Sequence, residues 1–330
     1  MVPMAESETL QSCDNQTPCQ LLGHANNCPT VCIIVLNWNG WQDTVRCLAS
    51  LLASDQAAFR VVLIDNGSTD GSLEHIEKWA ATRIATVVYD RTQALARGVE
   101  SEEAKMAGLG RSLVIVANER NVGFGVGNNV GLSYALACGF DAMWVLNNDT
   151  TVDAECLTGM LQALESGPHV GAVGCVVYQM DHPRTVQLWG GAHVDMTLGI
   201  APHIMSSSAS HRLNMLSGVS VLLRADALRE IGLFDENFFM YWEDSDLSFR
   251  LRSAGWALRV APEARIWHRE SSSLGGSTNV TRDHYYNESL RKLFGKYSWL
   301  PAVPICFGLL ARRTRRVMAV LLSRRGEQRD

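Results

Sequence analysis

The run Tyr241-Trp242-Glu243-Asp244-Ser245-Asp246 sets three carboxylates within six residues, at the start of an apolar-periodic segment that ends at Gly255. Carboxylates that open a helix beside a cleft suit proton transfer. Asp244 shares a helical face with Leu247 and Leu251, so it is expected to point inward and to serve as the base for an attacking hydroxyl, with Glu243 in the same catalytic cluster. Asp246 precedes Arg250 by four residues and is expected to form a surface ion pair. The plain alternative is that these acids only complement the helix dipole. A second cluster, Asn147-Asn148-Asp149-Thr150, ends an apolar run and offers hard oxygen ligands. Such ligands suit Mg²⁺ or Mn²⁺ bound through one or two carboxylates plus diphosphate oxygens, unless the cluster is only an Asx-rich cap before the next helix.

Three more stretches carry chemistry. Asp65 begins the loop Asp65-Asn66-Gly67-Ser68-Thr69-Asp70-Gly71-Ser72, where its carboxylate could accept the ring N–H of a pyrimidine while Asn37 and Asn39 frame the same base pocket. As a bare turn the same loop would cap the following helix. Gly123-Phe124-Gly125-Val126-Gly127 fails the dinucleotide pattern G-x-G-x-x-G because position 128 is Asn, which argues against an NAD-dependent oxidoreductase. Its glycines still permit close backbone approach, and Asn128 and Asn129 put amide donors at a helix N-terminus, suited to phosphate or sugar. A tight strand-to-helix connection explains the glycines nearly as well. His268, ending a strand, is a candidate ligand, although a lone histidine is more often a satisfied core or loop residue.

The elements that must position these groups alternate. Val31 to Leu36, Arg60 to Ile64, Leu113 to Ala117 and Ala142 to Leu146 are apolar runs of the buried parallel-strand type, the first three followed by helical patterns at Val45 to Leu52, Leu73 to Trp79 and Val130 to Ala137. The alternation predicts a mostly parallel central sheet with helices on both faces, and ligands then bind outside the carboxyl ends of the strands, where the four motif loops lie. Residues 90 to 110 look like a surface insertion at a crossover. Beyond Asp153 the pattern predicts a helix to Leu164, strands Val170 to Tyr178 and Leu216 to Leu223, a helix Ala225 to Glu230, a helix Asp244 to Ala254 and a strand ending Arg265 to His268. Residues 181 to 212 look irregular.

Composition sets the outer bounds. A chain of 330 residues with 47% hydrophobic content can bury a large core. The net charge of −5 hides an uneven distribution, because residues 291 to 330 carry ten Lys/Arg against two acids. Nine cysteines without a C-x-x-C pair read as reduced thiols and favour a cytoplasmic protein. Residues 1–29 look like a poorly ordered leader without a secretory signal, 30–297 like one folded domain with halves at about 30–150 and about 151–297, and 298–330 like a basic amphipathic tail. In that tail Phe307, Leu310, Ala311, Thr314, Val317, Met318, Leu321 and Leu322 are expected on one helical face, with Tyr297 and Trp299 just before it and Arg312, Arg315 and Arg316 across from it. The pattern predicts peripheral binding to an anionic membrane at the inner face of the cell; packing onto the domain is the alternative. Nothing points to nucleic acid.

Together VCIIVLNWNG, VVLIDNGSTDGS, NVGFGVGNNVGL, WVLNNDT, LSGVSVLLRADALREIGLFDENFFMYWEDSDLSFRLRSAGW, IWHRESSS and HYYNESLRKLF, spread over about residues 31 to 297, resemble family 2 glycosyltransferases of the GT-A type, nearest the rhamnosyltransferase-like branch. The resemblance implies a Rossmann-like GT-A fold and an inverting, metal-dependent transfer of a sugar, rhamnose by that branch, from a nucleotide-diphospho-sugar to a glycan or lipid-linked acceptor in cell-surface polysaccharide synthesis. It implies donor contacts at Asn37, Asn39, Asp65, Asn66, Gly123, Asn128 and Asn148, metal ligands Asp149 and His268, catalytic Asp244 with Glu243, and acceptor-side Gly218 and Trp242. Asn147 stands where the D-x-D motif usually has its first aspartate. The rival from another class is a non-catalytic nucleotide-sugar-binding or scaffold protein.

Overall fold

Continuous apolar strands require cover on both faces, and the chain supplies it. The computed structural model describes residues 29–56, 58–269 and 280–326, with side chains to residue 314. The first units are β1 (Val31–Asn37), α1 (Trp41–Leu52), β2 (Phe59–Asp65) and α2 (Ser72–Ala80), followed by β3 (Ala85–Asp90), α3 (Arg91–Leu95), α4 (Glu100–Met106), β4 (Arg111–Ala117), α5 (Phe124–Ala137) and β5 (Ala142–Asn147). Alternate residues of a strand face opposite ways, so Val31, Ile33 and Val35 join one core with Leu48, Leu51 and Ile76, while Cys32 and Ile34 join the other with Val130, Leu132 and Tyr134. Helix α5 lies close on β1, since a Cβ on Gly131 would meet the Ile34 side chain at 2.7 Å.

The second half completes the same sheet. It comprises β6 (Thr150–Val152), α6 (Cys156–Glu165), β7 (Val170–Gln179), β8 (Val186–Trp189), β9 (Gly191–Ala192), β10 (Met215–Leu216), β11 (Ser220–Arg224), α7 (Ala225–Ile231), α8 (Glu243–Ser253), β12 (Ala257–His268), α9 (Val280–Tyr297) and α10 (Ala302–Gly326). The strand order is β3-β4-β2-β1-β5-β11-β7-β12-β6, with β8 added to β7 and β9 paired with β10 apart. Strands β3, β4, β2, β1 and β5 run parallel; β11 is antiparallel to its neighbours β5 and β7, and β6 to β12.

Three expectations need refinement or correction. Residues 90 to 110 do lie mostly at the surface, but as the helices α3 and α4, anchored by buried Ala94 and Met106 and by Glu103, which reaches the buried Arg60 at 2.6 Å. Residues 181 to 212 hold β8 and β9, too short for alternation to reveal. The start of α10 does not stand free with its arginines outward, because Arg312 forms an ion pair with Asp283 at 2.7 Å and lies 3.8 Å from the centre of the Tyr286 ring. Tyr297 likewise turns inward, bonding Asp246. Trp299, Phe307 and Leu310 are exposed. The side chains of Arg315, Arg316, Val317, Met318, Leu321 and Leu322, and residues 1–28, lie outside the described residues.

Candidate active site

The loops after β1 and β2 are stitched into one another. Asn37 donates to the Asp65 carboxylate at 2.8 Å and to Ser68 Oγ at 3.1 Å, and accepts from Thr44 at 2.8 Å. Asp65 also accepts the Ser68 N–H at 2.9 Å. Asn39, in the left-handed region at φ 50°, accepts from Thr69 N at 2.8 Å. The Asn148 amide donates to Thr44 Oγ1 at 2.9 Å and Asn37 Oδ1 at 3.3 Å, which ties the β5 loop to the β1 loop. Asn66 donates to Asn121 at 2.9 Å. Gly123, at φ 89°, is confined to glycine by the Phe239 carbonyl, which a Cβ would strike.

Strand pairing brings Asp149 and His268 together. The three-residue β6 follows Asp149 directly and pairs antiparallel with the end of β12, His268 opposite Thr150. The Arg269 N–H adds a bond to the Asp149 carbonyl at 3.0 Å. His268 Nε2 then lies 3.2 Å from Asp149 Oδ1, and its Nδ1 lies 3.0 Å from Gln187 Oε1. All three side chains are buried. A carboxylate and an imidazole are a fitting donor pair for a divalent ion that takes its other ligands from diphosphate and water. Among the described residues no group of three or more His, Cys, Asp or Glu side chains adds to this pair. Burial pushes the neighbouring Cys47 thiol up to about 12.

The acidic run opens α8 after two non-glycine residues in left-handed backbone, Tyr241 (φ 70°) and Trp242 (φ 69°). Asp244 is held by the Gly218 N–H at 3.1 Å and the Ser245 N–H at 2.7 Å. Burial raises the affinity of both Glu243 and Asp244 for protons. In Asp244 the two N–H bonds work against that rise, so it keeps its charge more readily. Glu243 has less help, a single backbone N–H bond: its Oε2 is buried without a partner among the described residues, and the Asp244 charge raises it further. Of the two, Glu243 is the acid more strongly driven to hold a proton.

A cavity of about 360 Å³ joins these groups. Of the residues singled out from the sequence, Asn66, Gly123, Asn148, Asp149, Gly218, Glu243, Asp244 and His268 line it; Asn37, Asn39, Asp65, Asn128 and Trp242 do not. The Asn128 amide bonds its own helix at the Phe124 carbonyl, and Asn129 is spent on Phe234. Trp242 is buried among Phe238, Tyr286 and Phe294 rather than facing an acceptor. Asp246 is no surface residue: fully buried, it accepts from Arg250, Lys296 and Tyr297, each at 2.7 Å. Residues missed in the sequence also line the cavity, notably Gln187, His203, Tyr241 and Arg282. Gln187 lies on a strand too short to recognise, and Arg282 opens α9 without a motif of its own.

Comparison with known proteins agrees with this geometry. Residues 29–287 match the family model described as Glycosyltransferase like family 2. The chain is 26% identical over 267 residues to the N-acetylglucosaminyl-diphospho-decaprenol L-rhamnosyltransferase of Mycobacterium tuberculosis (strain ATCC 25618 / H37Rv), covering 74% of this chain and 77% of that protein. It is 23% identical over 239 residues to the poly-beta-1,6-N-acetyl-D-glucosamine synthase of Staphylococcus epidermidis, covering 71% of this chain and 48% of the synthase. In fold it is similar to the mannosyltransferase PcManGT from Pyrobaculum calidifontis, solved in complex with GDP-Man and Mn²⁺, with a TM-score of 0.56, 16% identity and coverage of 89% of this chain and 74% of the other. It is also similar to S. aureus TarS 1-349 in complex with UDP-GlcNAc, with a TM-score of 0.53, 18% identity and coverage of 81% and 66%.

Proposed function

The chain belongs to glycosyltransferase family 2, and from that premise we propose that it is an inverting, divalent-cation-dependent transferase acting on a nucleotide-diphospho-sugar. The observation that carries this reading is the meeting of Asp149 and His268 with Glu243 and Asp244 around one cavity. Asp244 removes the proton of an acceptor hydroxyl as that oxygen attacks the anomeric carbon from the face opposite the leaving diphosphate, so the configuration inverts. Glu243 beside it is driven more strongly to the neutral form, which leaves Asp244 the better placed of the two to act as base. Asp149 and His268 would hold Mg²⁺ or Mn²⁺, which when bound would offset charge on the departing nucleoside diphosphate. Arg282 brings a fixed positive charge to the same cavity.

On the donor side Asp65 takes a ring N–H with the lone pairs its internal bonds leave, Asn37 and Asn39 fix the loop around the base, and Asn66, Gly123 and Asn148 border the sugar diphosphate. Gly218, which orients Asp244, borders the acceptor. The mycobacterial relative, by its name a rhamnosyltransferase on a decaprenol-linked sugar, supports rhamnose as the sugar moved and a lipid-linked or glycan acceptor in cell-surface polysaccharide synthesis. Among the described residues no helix is long and apolar enough to cross a membrane. The exposed side chains Trp299, just before α10, and Phe307 and Leu310 on it support peripheral attachment at the cytoplasmic face.

The test is Asp244→Asn, which keeps the size of the side chain and removes its basicity. Release of nucleoside diphosphate in the presence of acceptor should fall by roughly two to four orders of magnitude, while affinity for the best of dTDP, UDP and GDP with Mn²⁺ stays near that of the unaltered protein. Normal sugar transfer by this variant would refute the assignment of the base.

A further inference from the structure

We propose that Gln187 is a positioning residue for the divalent cation, fixing the tautomer of His268 so that Nε2 and Asp149 face the ion together; the proposal rests on the metal-dependent reading above. Gln187 occupies an irregular place in the sheet. Strand β8 pairs with β7 as Val177 opposite Leu188 and then Tyr178 opposite Val186, so Gln187 is the extra residue of a β-bulge. A bulge re-aims a side chain that regular pairing would send elsewhere, and such irregularities gather beside active sites. Here the re-aimed amide reaches the imidazole from the side away from Asp149.

The hydrogen-bonding chemistry fixes the rest. Gln187 Oε1 lies 3.0 Å from His268 Nδ1 and has no hydrogen to give, so Nδ1 carries the proton. In a neutral imidazole Nε2 then bears the lone pair. That lone pair meets Asp149 Oδ1 at 3.2 Å. With no proton on Nε2 these two acceptors repel, and a cation ligated by both would offset that repulsion. Ligating histidines commonly have their other ring nitrogen bonded in this way, which raises their basicity and fixes the ring plane. His268 is fixed independently along the backbone by its pairing with Thr150. Gln187 therefore sets the ring's proton, not the residue's location.

Direct Mn²⁺ titration, with free ion followed by electron paramagnetic resonance and nitrogen coordination by spin-echo modulation, tests this. Gln187→Met keeps length and removes the acceptor; it should weaken Mn²⁺ binding by about 10- to 100-fold and diminish the ¹⁴N signal from the imidazole. Gln187→Glu, which can accept the same proton, should restore both. Gln187→Asn, too short to reach, should behave like the Met variant and serves if that one fails to fold. Wild-type affinity and an unchanged nitrogen signal in Gln187→Met or Gln187→Asn, even with a lowered melting temperature, would overturn the proposal by leaving Gln187 a purely structural role. If the unaltered protein bound no Mn²⁺, or Asp149→Ala bound it equally well, the metal-dependent reading itself would fall, and this proposal with it.

Discussion

Glu243 has the least compensated charge of any acid in the cavity. Its folded-state pKa is raised, first by burial and then by Asp244. Between the ordinary glutamate value of ~4.3 and that raised value the folded protein binds more protons than the unfolded chain, so this residue's contribution to stability falls as pH rises through the window. Glu243→Gln mimics the protonated acid and removes the dependence. The variant should melt above the unaltered protein at neutral pH, and the gap should close as pH approaches ~4. Thermal unfolding across that range decides it, and a gap independent of pH would count against a proton held at Glu243. At this scale much of the site was legible, because a carboxylate at a strand end or a helix start declares its location through the apolar pattern beside it. Gln187 declared nothing: a bulge depends on the register of a partner strand, which one strand's residues do not encode.

Among the elements, α8 matters most, because it carries Glu243 and Asp244 and begins in strained backbone. The left-handed Tyr241 and Trp242 cost of order 1–3 kcal/mol each, and only surrounding structure can hold them. Asp246 is a large part of that structure, joining α8 to α9 through Lys296 and Tyr297. The bonds to Asp235 and Asp246 hold the Lys296 ammonium above its usual range despite burial that opposes the charge, and burial with the Asp246 bond pushes the Tyr297 hydroxyl up to about 12. Asp246→Asn should therefore destabilise the protein by ~3 kcal/mol, since it leaves buried partners uncompensated. Urea denaturation measures this, and a midpoint unchanged within error would remove Asp246 as the anchor of α8. The sequence made the Asp246–Arg250 spacing plain but not its burial. Lys296 and Tyr297 arrive from far along the chain, and a distant contact leaves no periodic trace.

For the molecule as a whole, the proposed membrane attachment rests on apolar side chains exposed just before α10 and on it. Trp299 is 95% exposed, and Phe307 and Leu310 are each more than half exposed. Removing α10 would also strip Arg312 from Asp283, so point changes are the cleaner probe. The full chain should float with anionic liposomes, and Trp299→Glu combined with Leu310→Glu should release it; equal flotation of both would end the membrane assignment. The parallel alternation made the first half of the sheet readable, whereas the second half mixes antiparallel and very short strands whose order only packing can set. The two halves share one sheet, because β5 pairs with β11, and the sheet closes where β6 pairs with β12. That last pairing sets an order of events during synthesis on the ribosome. Asp149 emerges early, but its partner His268 is the final residue of the final strand, so a nascent or truncated chain lacks the pair until the sheet is closed. A cation that needs both side chains would therefore wait for the closed sheet.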